Sequence, residues 1–281
     1  MPKNTNFSSA SGPVSVGNVV SAGLRIYRDR FQLYYGLAFS AYAWILIPIY
    51  GWAKFSAISG QIARLAYCEV SETPETPSEA RSYVEPRMWT FFWAGLLVSL
   101  IILGVTIGGG VVFGIVAVGI AAIVGQQATG VGILIAFLLG GVALIAFLFG
   151  YIWFFSRVSL VEMPIAIEDN ITASSAISRS WELTKGLVGH LQLIYLVAFL
   201  ISLPISIFIN IISTVLQAIL PLVLPKDSPV FSLVFLILNL GLTFASSALL
   251  VPFWQAIKAV IYYDIRSRKE GLDLQLRDAD Y

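Results

Sequence analysis

Charge is scarce in this chain of 281 residues. Only 12% of them are Asp, Glu, Lys or Arg, while 58% are hydrophobic. Soluble domains carry about 25% charged and about 45–50% apolar residues. The shortage of charge excludes an ordinary water-soluble domain, and a mean hydropathy of +0.84 agrees. Histidine occurs once, at His190, which excludes His-based metal clusters and an HExxH motif. Cysteine also occurs once, at Cys68, so no intrachain disulfide can form and the redox compartment is not encoded. No basic tail accompanies the net charge of +1, so nucleic acid is not an expected partner. Phosphate-binding and nucleophile-elbow fingerprints are missing too. These absences imply no cofactor and no enzyme.

What the chain has is long apolar runs. A hydrocarbon core of about 30 Å needs about 20 apolar residues in a helix. Residues 31–53, 88–156, 190–215 and 230–258 each meet or exceed that. A helix covering all of 88–156 would be about 100 Å long at 1.5 Å per residue, so this run folds back. One turn is expected at 125–130, where Gln126, Gln127 and Thr129 interrupt it. Gly108, Gly109 and Gly110 offer a second, which leaves two or three spans there. Small residues four apart, such as Gly104 and Gly108, suit close helix packing in lipid. A hinge or pore at the three glycines is the sharper alternative.

The expected fold is all-α. It is a polytopic transmembrane helical bundle of five to six spans with amphipathic interfacial helices. Residues 1–14 are polar, without the apolar core of a signal peptide, and are expected to be a disordered leader. Residues 15–273 form one helical membrane domain, and 274–281 a polar tail.

A small pattern recurs before the apolar blocks. Arg, one spacer and a large ring appear as Arg25 and Tyr27, Arg81 and Tyr83, and Arg179 and Trp181. Each is expected on an interfacial helix, with cation and ring at the headgroup level. In the first, Val16, Val20, Leu24, Tyr27 and Phe31 make the apolar stripe. The second begins with a capping box at Thr76 and Glu79, with Pro77 at the first helical position. The third starts near Thr172. A second mark closes the runs: a ring followed four residues later by a cation, at Tyr50 and Lys54, Trp153 and Arg157, and Trp254 and Lys258. Together these suggest internal repetition.

Lys/Arg counts bear on orientation. Five or six simple spans both put twelve cations on one side and five on the other. Bending 31–53 back as a re-entrant hairpin gives sixteen against one. That hairpin needs protein to cover its backbone in lipid. All three arrangements put the C-terminus on the positive, cytoplasmic side of a cell membrane.

Few residues are candidates for chemistry. The span centres hold no ionisable residue, which weakens a coupled transporter. Asn210, Gln217 and Asn239 are their notable polar side chains. His190, next to Gly189, is expected to be an interfacial hydrogen-bonding group, with a proton relay as the alternative. Glu162, Glu168, Asp169 and Glu182 are expected on a solvated loop rather than at a metal. Asp264, Arg266, Arg268, Lys269 and Glu270 are expected to pair within a helix with some contact to anionic headgroups, and Lys258 is expected at the same interface. The expected partners are the lipid bilayer and a membrane protein.

Three stretches carry a resemblance: 15–28 (SVGNVVSAGLRIYR), 179–186 (RSWELTKG) and 261–273 (IYYDIRSRKEGLD). They resemble a bacterial multi-pass family labelled for its likeness to the membrane domain of glycerophosphoryl diester phosphodiesterases. The resemblance covers essentially 15–273. It implies a helical membrane domain. The phosphodiesterase barrel, with its catalytic histidines and metal-binding carboxylates, is absent, so no catalytic residue carries over. The expected activity is that of a non-enzymatic scaffold or accessory factor; the alternative is a transporter or channel for a small or lipidic solute.

Overall fold

The computed structural model describes residues 14–125 and 130–271. These residues are helical, with no strand among them. In order they form α1 (Val16–Asp29), α2 (Phe31–Trp44), α3 (Tyr50–Val70), α4 (Pro77–Val84), a 3-10 turn (Glu85–Arg87), α5 (Met88–Gly125), α6 (Gly130–Val158), α7 (Glu162–Ile167), α8 (Ala173–Leu183), α9 (Val188–Val223) and α10 (Pro229–Glu270). Local chemistry sets several of these bounds. The Thr76 hydroxyl accepts from the Glu79 N–H, and the Glu79 carboxylate accepts from the Thr76 N–H at 2.7 Å. Thr172 and Ser175 do the same at the start of α8. Gly271 ends α10 in the left-handed conformation, at φ +62°, which glycine adopts without a Cβ clash. Residues 1–13 of the expected leader, 126–129 of the turn expected at 125–130, and the tail expected at 274–281 lie outside the described residues.

Four stretches are long and apolar enough to cross a membrane; they contain α5, α6, α9 and α10. Their most apolar windows are only 0–11% buried by the rest of the chain. Apolar surface left uncovered on that scale belongs against lipid or another protein. α5 runs straight through Gly108–110, so no third span forms there. A Cβ on Gly109 would stand 2.0 Å from the Phe147 ring, so this glycine seats α6 against α5.

The run at 31–53 does not form one continuous helix. It divides between α2 and α3, which pack on each other, and neither is among the four stretches long and apolar enough to cross a membrane. At the corner the Tyr50 N–H donates to the Pro48 carbonyl at 2.7 Å, a γ-turn. Its central residue, Ile49, sits at φ +62° and ψ −69°, strained for a β-branched side chain. The corner leaves few carbonyls bare. Ile47 donates to Trp44, Gly51 to Ile47, and the Trp52 indole to the Ile45 carbonyl at 3.2 Å.

The arrangement of elements follows the recurring pattern. Each Arg-spacer-ring segment lies on a short helix (α1, α4, α8), and a helical hairpin follows it (α2–α3, α5–α6, α9–α10). Between ring and closing cation the second and third units hold nearly three times as much chain as the first. The first hairpin is accordingly the shortest of the three.

The core lies at one end, where the short helices meet the ends of the long ones. α3 is central: it touches α1, α2, α4, α5, α7 and α10. α1 buries Val19, Val20, Ala22, Gly23, Ile26 and Tyr27. This face is rotated from the expected stripe, for Leu24 and Phe31 are both 41% exposed. The cause is Gly23, which lets the α10 backbone come close: a Cβ there would meet Ile257 Cα at 3.2 Å.

Candidate functional site: the polar cap

The polar segments that the sequence scatters over 54–87, 157–187 and 258–270 converge on this end. Glu168 is their hub. Its side chain, 15% exposed, accepts from Arg179 Nε at 3.2 Å and from the Tyr262 hydroxyl, and Arg266 lies 3.8 Å away. Arg179 and Arg266 also both bind Glu270. This network ties α8 to the last turns of α10. Glu162 plays the same part at an earlier turn of α10. It pairs with Lys258 and accepts from Gln255 at 2.9 Å, and Gln255 in turn donates to Ser59 of α3 at 2.6 Å. Glu162 and Glu168 are therefore partly buried and paired, whereas the expectation was a solvated loop. Asp169 is exposed and paired with Arg87. Glu182 is exposed, with Arg179 3.8 Å away.

The rings of the pattern turn inward. Tyr83 is held between two guanidiniums, with Arg64 at 3.5 Å and Arg87 at 3.7 Å from its centroid. Its hydroxyl donates to Asp169 at 2.9 Å. Hydrogen bonds from Arg87, then from Tyr83, hold the Asp169 carboxyl below the usual range, so it stays ionised at neutral pH. Arg64 grips the Glu75 carboxylate with two nitrogens and donates to the Ala166 carbonyl at 2.9 Å. Tyr27 is buried against Phe31, and burial pushes its phenol up to about 12. Trp181 lies on Trp153 and Phe154, at the edge of exposure.

Of the nine residues expected at lipid, four hold carboxylates of other cap segments or sit inside the core: Tyr27, Arg179, Lys258 and Arg266. Tyr83 ties α4 to residues 167–169. Arg268 binds Asp264 one turn earlier, at 3.0 Å, as expected. Arg25 is exposed, with no ion-pair partner among the described residues. Arg81 is 65% exposed and binds Glu85 at 2.9 Å. Arg179, Lys258 and Arg266 turn inward for one reason: cations and carboxylates far apart in sequence meet at a partly dry interface, where pairing replaces water, whereas Tyr27 is inside because its ring packs in the core.

Two features were hidden from sequence reasoning. Arg157 is 6% exposed. Among the described residues it is the one buried cation without a carboxylate. It stacks over Trp181 at 4.5 Å and donates to the Thr184 hydroxyl at 3.3 Å. The Trp153 and Arg157 spacing was its only signal. The second feature is a cleft of about 420 Å³ between α2, α3 and α4, with Lys54, Arg81 and Glu85 among its polar residues. Lys54 and Arg81 both bind Glu85.

His190 Nε2 donates to the Val14 carbonyl at 3.0 Å, the structural role expected of it. Cys68 is buried, and burial, then Glu75, pushes its thiol up to about 11, so it is inert. Among the described residues no three His, Cys, Asp or Glu side chains group as metal ligands.

Residues 72–265 match the model of a protein family described as a domain of unknown function, DUF7847. The chain belongs to this family. The matched region starts in the loop before α4 and ends in the last turns of α10, so it takes in three of the four candidate spans whole and the fourth as far as residue 265, and leaves out α1, α2 and α3. No curated protein and no solved structure matches the chain. The family's description assigns no activity, and the cap's own chemistry therefore carries the functional reading.

Proposed function

We propose that this protein is a multi-pass membrane protein without catalysis of its own, acting as a scaffold or accessory factor. Its four long helices cross the bilayer. The α2–α3 hairpin enters from the cap side and turns back, standing where run length would place a fifth span. The observation that carries this reading is the contrast between the two regions. The long helices leave their apolar surface uncovered, while the cap neutralises most of its charge internally. A catalytic or ion-coupled site needs unspent polar groups in a cavity. The hairpin's exposed corner is apolar, with Leu46, Ile47, Ile49 and Trp52 about half exposed or more. In lipid those side chains are at home, and the hydrogen bonds of the corner meet the demand that backbone groups be satisfied. The likeness to the phosphodiesterase membrane domain we keep as a proposal of common architecture only.

The four-span arrangement puts sixteen cations on the cap side and Lys226 on the other. The cap and both termini therefore face the cytoplasm. Reporters fused to the N-terminus and inserted at position 71 are expected on the same side. Opposite sides would mean that 31–53 crosses the membrane. Purification from native membranes is expected to bring a stoichiometric membrane-protein partner, and its repeated absence would defeat the scaffold reading.

The transporter alternative has less support. Asn210 lines a shallow groove made by α9 alone, and donates to the Ser206 carbonyl of its own helix at 2.8 Å. Gln217 spends a donor on Asn239 at 3.2 Å. Neither Gln217 nor Asn239 lines that groove.

A further inference from the structure

We propose that the cleft between α2, α3 and α4 holds one anionic phospholipid, with an acyl chain between the helices and its phosphate on Arg81, beside the Lys54–Glu85 pair. The inference rests on the membrane placement proposed above and gives the lipid contact a definite site. Three observations carry it. At about 420 Å³, the cleft has the volume of a ligand site. Its walls are mainly apolar, from Leu37 and Trp44 on α2, Ile58 on α3 and Val84 on α4. Its polar edge has two cations and one carboxylate, so it keeps a net positive charge while both cations share Glu85.

The two cations are suited to different parts. Lys54 is 11% exposed and stays on Glu85, so neither is left as a lone buried charge. Arg81 is 65% exposed and turns to a phosphate at little cost. A guanidinium takes a phosphate through two parallel N–H bonds, stronger than an exposed pair within one helix. A soluble phosphate would have no use for the apolar walls. A neutral lipid would have none for the cations. Trp44, at the end of α2 where the hairpin turns, is among the residues that line the cleft, and the exposed corner next to it is apolar.

Native mass spectrometry of the detergent-purified full chain tests this, with short-chain phosphatidylglycerol, phosphatidylcholine of the same acyl chains, and glycerol phosphate as separate probes. One phosphatidylglycerol per chain is expected, bound about tenfold more tightly than phosphatidylcholine, with no adduct from glycerol phosphate at the same concentration. Arg81→Gln, an exposed change, is expected to bring phosphatidylglycerol down to the phosphatidylcholine level. Ile58→Trp, which fills the cleft, is expected to remove both lipids. Each variant's melting curve separates lost binding from lost folding. Phosphatidylglycerol binding by both folded variants as tight as by the original chain overturns the proposal, as does glycerol phosphate binding as tightly as the lipid. A chain that alkali strips from membranes would instead defeat the membrane placement. One that stays in the membrane yet takes no lipid defeats the cleft alone.

Discussion

Glu168→Ala is expected to lower the stability of the detergent-purified protein by about 3 kcal/mol, the low end for removing one partner from a buried ion pair. The carboxylate serves Arg179, Arg266 and the Tyr262 hydroxyl at once, and none of the three charged side chains is more than 26% exposed. Its loss leaves two guanidiniums to share Glu270. It also leaves a buried phenol without its acceptor, since Tyr262 is fully covered. The same change at Asp169, which is 75% exposed, should cost far less, because water replaces the lost partner. Thermal unfolding followed by tryptophan fluorescence measures both. Glu168→Gln separates charge from hydrogen bonding: it keeps an acceptor for Tyr262 while removing the ion pairs, and should fall between. Equal melting of Glu168→Ala and the original chain would mean that the hub does not hold α8 to α10.

The second large effect lies at the α2–α3 corner and has two opposite signs. Gly51→Ala is expected to destabilise by about 3 kcal/mol, the upper range for overpacking, because a Cβ there would stand 1.8 Å from the Trp44 carbonyl oxygen. Unlike a ring, which can rotate, that oxygen is backbone at the end of α2 and moves only if the corner opens. Ile49→Gly should do the reverse and stabilise by about 1 kcal/mol. It relieves a non-glycine residue at φ +62°, a strain of about 1–3 kcal/mol, less the extra chain entropy of glycine. Ile49 is 57% exposed, so little packing is lost. Melting midpoints of the two variants on opposite sides of the original are the expected result. Destabilisation by Ile49→Gly would show that the exposed isoleucine matters more than its backbone.

The helices and their caps were legible in the sequence because they depend on neighbours along the chain. Thr76, Pro77 and Glu79 begin α4, Thr172 begins α8, and Gly271 ends α10, each through contacts within a few residues. The Arg-spacer-ring pattern marked three helices correctly, since repetition is a property of order. Its role was not legible. Arg179 and Tyr83 look like interfacial anchors by spacing. Their partners, Glu168 and Glu270 for one and Arg64, Arg87 and Asp169 for the other, come from separate segments. The division of 31–53 was one of two readings, since composition distinguishes neither a span from a hairpin nor a lipid-facing corner from a mid-span residue.

By itself the sequence determined that this protein is helical, that long parts of it belong in lipid, and where most helices start and stop. Those properties follow from apolar length and from capping groups within one turn. The tertiary structure alone decided that the first apolar run turns back, that the recurring cations mostly face carboxylates, and that a cleft opens between α2, α3 and α4. The physical reason is the same in each case. Ion pairing, close approach at a glycine and the shape of a cleft depend on groups distant along the chain, and only packing determines which of them meet.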